Sequence, residues 1–190
     1  MDTFELRAPG VRLASPTEAD IDRIAELCQD PEVQRWTTMP SPYTHADAES
    51  FVGDMVPSGW ERGGPTWGIR VPHADGERLV GMVGVDSREL RSAEIGYWLA
   101  PDARGRGLMH QAVGLALDAA FGQLDLERVE WRATVGNWPS WRVVWRHGFR
   151  KEGAVRGLGI QRGMRTDQWI GTLLAGDPRE PAAPWDGPTA

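Results

Sequence analysis

The sequence predicts an α+β (α/β) domain with a mixed, mostly antiparallel central sheet flanked by helices. Apolar residues recur at helical spacing early in the chain, then alternate with the period of strands from Thr66 to Leu99. Beyond Leu99 the order becomes loop, helix, strand, helix, strand, strand. A hairpin meander that feeds one strand–helix–strand unit requires antiparallel and parallel neighbours in one sheet.

Each element has a local reason. Val11 to Ala14 is strand-like, and Ser15-Pro16-Thr17-Glu18 reads as a capping box with Ser15 as N-cap. Behind it Ile21, Ile24, Ala25 and Cys28 share one helical face, so Cys28 is expected in the core. Pro31, Pro40 and Pro42 break the next stretch into an irregular region holding Trp36 and Met39. Thr44 caps a second helix carrying Ala46, Phe51, Val52 and Met55. Trp67 to Val71 and Leu79 to Val85 form a hairpin around Asp75-Gly76, and Ala93 to Leu99 follows as a third strand. The next helix carries the stripe Met109, Ala112, Val113, Ala116 and Ala120. Val129 to Val135 is a strand, Ser140 to His147 a short helix, and Gly153 to Leu158 and Gln168 to Leu174 are the last strands.

The 190-residue length suits one domain, expected over residues 1–176, followed by a Pro-rich flexible tail at 177–190. One cysteine excludes an internal disulfide and a cysteine metal cage, and no metal site is expected. The first residues lack the apolar stretch of a signal peptide, and no apolar run reaches the roughly 20 residues of a membrane span, so a cytoplasmic chain without membrane contact is expected. The formal charge of −6 argues against nucleic acid as a partner. Residues 1–95 sum to −8 and residues 96–190 to +2, so an anionic ligand should prefer the second half.

The loop Pro101-Asp102-Ala103-Arg104-Gly105-Arg106-Gly107 stands between a strand and a helix. Glycines there admit a ligand close to the backbone, and the free N–H groups of the helix start favour a phosphate. His110 stands where a dinucleotide fingerprint needs glycine, and the loop lacks the Gly-Lys-Ser/Thr of a Walker sequence.

Together with Ala93-Glu94-Ile95-Gly96-Tyr97-Trp98-Leu99, Asn137-Trp138-Pro139-Ser140 and His147-Gly148-Phe149, this loop resembles the GNAT acyl-CoA-dependent N-acyltransferases. Within them it is most similar to the branch of ribosomal-protein N-terminal acetyltransferases. The likeness is densest over residues 92–155 and weaker over 10–92 and 155–174. It implies a single GNAT-like fold and transfer of an acetyl group from acetyl-CoA to a primary amine by direct attack. It further implies that Arg104, Gly105, Arg106, Gly107, Leu108 and Met109 hold the pyrophosphate. Leu99, Ala100 and Pro101 would meet the pantetheine arm; Pro101 lacks an N–H, so Leu99 and Ala100 must donate. Asn137 would contact the same arm, Glu94 would act as general base, and Ser140, also a candidate N-cap, as the acid that protonates the departing thiolate. Many relatives carry a tyrosine acid where Val144 stands. His110 is expected beside the phosphates, His147 as a favourable charged helix cap, and Asp167 in a turn or orienting substrate.

A noncatalytic acyl-CoA-binding module, a transferase of a larger acyl group such as succinyl, and a dinucleotide-dependent oxidoreductase remain as alternatives. The acceptor, peptide or small molecule, is open among a protein N-terminus, a polyamine and an aminoglycoside-like amine. Ten tryptophans suit a pocket wall or the interface of a homodimer. Trp131, Trp138, Trp141 and Trp145 are expected at the acyl end, Trp36, Trp60 and Trp67 at the acceptor side, Trp98 by the thioester, Trp169 in the hairpin core and Trp185 in the loose tail.

Overall fold

The computed structural model describes residues 1–189. Its elements are β1 (Leu6–Ala8), β2 (Val11–Ala14), α1 (Ile21–Leu27), α2 (Pro31–Trp36), α3 (His45–Ser50), α4 (Val56–Glu61), β3 (Thr66–His73), β4 (Gly76–Arg88) and β5 (Ser92–Leu99). They continue with α5 (Leu108–Gly122), β6 (Arg128–Thr134), α6 (Trp138–Trp145), β7 (Arg150–Gln161) and β8 (Met164–Leu174). The eight strands form one sheet in the order β1-β2-β3-β4-β5-β6-β8-β7. Every neighbouring pair is antiparallel except β5 and β6, which are parallel and joined through α5.

Two apolar layers hold helices against this sheet. The larger buries the predicted α5 stripe, with Ala112, Val113, Ala116 and Ala120 fully enclosed, against β4, β5 and β6. The smaller joins Ile24, Cys28, Ala48 and Val52 to Leu79 and Met82 on the other side of β4. Cys28 is a core residue as expected, and burial pushes its thiol up to about 12, so it stays protonated and inert.

Local signals were displaced at several places. Thr17, not Ser15, is the first N-cap, closing its box with Asp20 before α1. The stretch expected to be irregular contains α2, because Asp30 caps it by accepting from the Val33 amide (2.9 Å) and Pro31 occupies the first turn, where its missing N–H costs nothing. Thr44 does cap α3, forming a box with Asp47, and Val52 is buried as expected, but Ala46 is exposed and Met55 is 63% exposed; Ala48 and Val56 face inward in their place. A π-turn over Phe51–Met55 links α3 to α4 and rotates the face that Met55 was expected to share.

Residues 177–189, expected to be a flexible tail, lie against α6 and β7. Trp185 packs edge-on against Trp138 and Trp145, and the Trp145 indole donates to the Ala183 carbonyl (2.8 Å). Lys151, the one lysine, sits 4.4–4.8 Å from the ring centres of Trp138, Trp141 and Trp169 and pairs with Asp186 at 2.5 Å. The tail read as loose is anchored by one half-buried indole. Trp60 and Trp67, expected at the acceptor side, instead form an edge-to-face triangle with Phe4 inside the core.

Candidate active site

The site begins where the sheet opens. β5 and β6 are in register from Ser92 beside Arg128 to Ile95 beside Trp131 and then part, although β5 continues to Leu99 and β6 to Thr134. Each strand keeps its outer partner, β4 or β8, so separation costs only the hydrogen bonds between the two. A cavity of about 490 Å³ occupies the gap and reaches Glu94, Trp98, Met109, Asn137 and Ser140.

Of the strand residues expected to donate, one remains. The Ala100 amide is bonded to the Val80 carbonyl (2.8 Å), and Pro101 has no N–H. Antiparallel alternation turns the amides of Leu99 and Tyr97 the other way, toward the gap. Ala100 is therefore a sheet residue and Leu99 the available donor.

At the end of the gap Gly105 and Gly107 both have left-handed backbone, φ +74° and +76°, with no atom within 4 Å of where a Cβ would stand. Gly107 caps α5, so the amides of Leu108, Met109 and His110 lack helical acceptors and face outward along the helix axis. Met109, unusually large for this turn, is 8% exposed, and its side chain joins the core, leaving its amide free. Arg106 is exposed and free of ion pairs among the described residues. Arg104 is tied into the protein: its Nε donates to the Leu99 carbonyl (3.0 Å) and its Nη2 to Asp30 (2.6 Å). Burial opposes the charge on Asp30, yet Arg104 and the Val33 amide hold its carboxyl below the usual range. Arg104 thus braces the loop against the start of α2.

On the β6 side Asn137, not Ser140, is the N-cap of α6, accepting from the Ser140 amide at 3.3 Å. It is 7% exposed, and its amide Nδ2 is the donor left for a ligand. Ser140 lies in the first turn. Its Oγ accepts from the Trp131 indole (3.0 Å) and donates to the Tyr97 hydroxyl (3.1 Å), which donates to the Ser140 carbonyl (2.8 Å). Tyr97 escaped the sequence reading, although it alternates with Ile95 and Leu99 on the face toward α6. Burial drives its phenol pKa upward, so it is a neutral hydrogen-bonding partner.

Glu94 projects from the opposite face of β5, with Arg88 Nη2 at 3.2 Å and Arg132 Nε at 3.7 Å. Its register neighbour Glu130 is bound by Arg128 and Arg132, which outweigh the effect of burial and lower its pKa. Only Glu94 of the two lines the cavity. The β7–β8 hairpin closes the mouth: Gln161 Nε2 donates to the carbonyls of Arg35 (2.8 Å) and Thr37 (2.7 Å) at the end of α2. Asp167 serves the hairpin itself, accepting from the Gly157 amide (2.8 Å) across a bulge in β7.

His147, expected as a charged cap, is buried and stacked on His110, with ring centres 4.2 Å apart. Burial first, and His110 second, push its pKa down to about 4, so it is neutral, and its Nε2–H donates to the His110 carbonyl (2.9 Å). Among the described residues no cluster of three or more His, Cys, Asp or Glu could hold a metal, and no helix is long and apolar enough to cross a membrane.

The profile of the Acetyltransferase (GNAT) domain matches residues 11–150. YdaF of Bacillus subtilis strain 168, provisionally named a ribosomal N-acetyltransferase, is 30% identical over 168 residues, covering 86% of this chain and 90% of YdaF. The Mycobacterium smegmatis RimJ structure in complex with CoA-disulfide is 25% identical, with TM-score 0.78 over 91% of this chain and 87% of that one. The RimL ribosomal L7/L12 α-N-protein acetyltransferase in complex with coenzyme A has TM-score 0.80 at 19% identity, covering 90% and 98%, and shares the fold. With its opened sheet and glycine loop, this chain belongs to the GNAT acetyltransferase family.

Proposed function

We propose that this enzyme transfers an acetyl group from acetyl-CoA to a primary amine by direct attack of the neutral amine on the thioester carbonyl. The observation that carries the reading is the gap between β5 and β6, with the glycine loop at one end and Glu94 and Ser140 on its walls. The dimensions and chemistry fit the donor. Amides at the start of α5 and Arg106 meet the pyrophosphate, Leu99 and Asn137 offer donors to the pantetheine arm, and the thioester lies where the strands part.

Glu94 accepts the proton that the amine must lose, directly or through water, and Arg88 and Arg132 keep its carboxylate oriented. Ser140 is the acid for the leaving thiolate. Its oxygen is held by the Trp131 indole, and its proton, turned from Tyr97 Oη to the departing sulfur, is replaced from solvent after CoA leaves. The names of YdaF, RimJ and RimL support a protein N-terminus as the acceptor class.

The test is free-thiol release from acetyl-CoA with a panel of peptide and small amines, beside calorimetry with CoA. Wild type should bind CoA and turn over at least one amine, and Glu94→Gln should lower kcat by about 10²-fold or more while retaining CoA affinity. Binding without turnover of any amine would leave a noncatalytic acyl-CoA module.

A further inference from the structure

A second cavity, of about 370 Å³, opens from the first on the α1–α3 side of the sheet. The two share Trp98, Thr37 and Thr38 in their walls. Ile24, Cys28, Met39, Phe51 and Met55 are among its other apolar lining, with Pro40 and Tyr43. Along β5 the residues on that face are Glu94, Gly96 and Trp98 in turn, and a Cβ at Gly96 would meet no atom within 4 Å. A base, a vacant step and an indole wall thus follow one another at about 7 Å per step.

The charges give little hold to an acceptor carrying several ammonium groups. Asp47 is engaged by the Thr44 amide (2.7 Å) and hydroxyl (2.6 Å). Glu32, at the cleft mouth, is taken by Arg35 and by the Trp36 indole, and Glu94 lies between two guanidiniums. A polyamine or aminoglycoside would find Glu32 and Glu94 already paired with arginines, leaving Asp47 as the anion without a cationic partner among the described lining residues.

Resting on the transferase reading above, we infer that the preferred acceptor is a primary amine carrying a bulky aliphatic or aromatic group within about 7 Å of its nitrogen, seated between Trp98 and Met55. A peptide that begins with Met, Leu or Phe has this shape, and so does an arylalkylamine. Cys28, buried and protonated, contributes to the pocket as an apolar wall only. Enclosing one such side chain is worth about tenfold to a hundredfold in affinity.

The experiment measures kcat/KM at saturating acetyl-CoA for peptides identical except for a first residue of Met, Leu, Phe, Ser or Gly, together with phenethylamine and spermidine. The apolar peptides should exceed the Ser peptide by about tenfold or more, chiefly through KM, and Met55→Asp should compress that ratio to within about threefold. Met55 is largely exposed, so this variant should fold. Equal or better use of the Ser peptide or spermidine, or an unchanged ratio in Met55→Asp, overturns the inference while leaving acetyl transfer intact. The phenethylamine arm separates a small-molecule source of the apolar group from a peptide one. Calorimetry of the same peptides on CoA-loaded protein reads the pocket without turnover: tighter Met-peptide than Ser-peptide binding supports it, and equal binding overturns it. No turnover with any amine defeats the transferase reading separately.

Discussion

Ser140 shows how a small side chain acquires a role from its neighbours. A serine hydroxyl in water is a weak acid, but here one lone pair is taken by the Trp131 indole and the proton is directed at Tyr97. Replacing Ser140 by Ala removes the donor and leaves the Trp131 N–H without its partner, while the amides at the start of α5, proposed to hold CoA, are untouched. We expect Ser140→Ala to lower kcat by about tenfold or more with CoA affinity within about twofold, read by stopped-flow thiol release and calorimetry. Tyr97→Phe keeps the hydroxyl of Ser140 but loses its orienting partner, so its loss should be smaller; a loss equal to that of Ser140→Ala would make Tyr97 the acid. Ser140 was visible in the sequence as part of Asn-Trp-Pro-Ser, and its cap role went to Asn137 because Pro139 fits inside the first turn. Tyr97 stood inside the Ala93-to-Leu99 stretch with no role of its own assigned. Only the approach of α6 to β5 turns an alternating strand residue into a catalytic-site neighbour.

Among the elements, the loop from Pro101 to Gly107 and the helix α5 that it starts were the most legible. Two glycines between a strand and an apolar-striped helix are a local statement, and the backbone obeys it with two left-handed residues at the points where the chain must turn. The space beside Gly107 is open, so a larger residue there collides with ligand more than with protein, although its left-handed backbone adds strain. Gly107→Trp should weaken CoA binding by about tenfold or more in calorimetry, and unchanged affinity would move the pyrophosphate elsewhere. The bracing of Arg104 was not legible, because a guanidinium beside a glycine loop looks the same in sequence whether or not it also meets Asp30. Its partner is 74 residues away and belongs to a helix whose prolines hid it. Met55 was misplaced on the buried face of the second helix because the π-turn changes the phase of that face.

At the scale of the whole molecule, α5 and α6 meet through the His110–His147 stack, and this contact ties stability to pH. The folded pKa of His147, about 4, lies below its ordinary value of 6.5. The unfolded chain therefore binds the extra proton first as pH falls. The associated stability, up to about 3 kcal/mol, is present above pH 6.5 and is lost progressively toward pH 4. His147→Gln should flatten this part of the urea-midpoint profile between pH 7 and 4 relative to wild type; an identical slope in both would show that other groups carry it. The docked tail is a second whole-molecule feature, since Trp185 and Asp186 find their partners on α6 and β7 only after both are in place. The sequence by itself determined the element order from β3 onward, the stripes of α1 and α5, the glycine loop between β5 and α5 and the inert core cysteine, because each follows from the period, turn chemistry or burial of residues close together in the chain. Only the tertiary structure decided the gap between β5 and β6, the bracing of Arg104, the Tyr97–Ser140 contact and the apolar cavity beyond Trp98. These depend on strands and helices brought together from distant parts of the chain, where packing, not local preference, selects the partner.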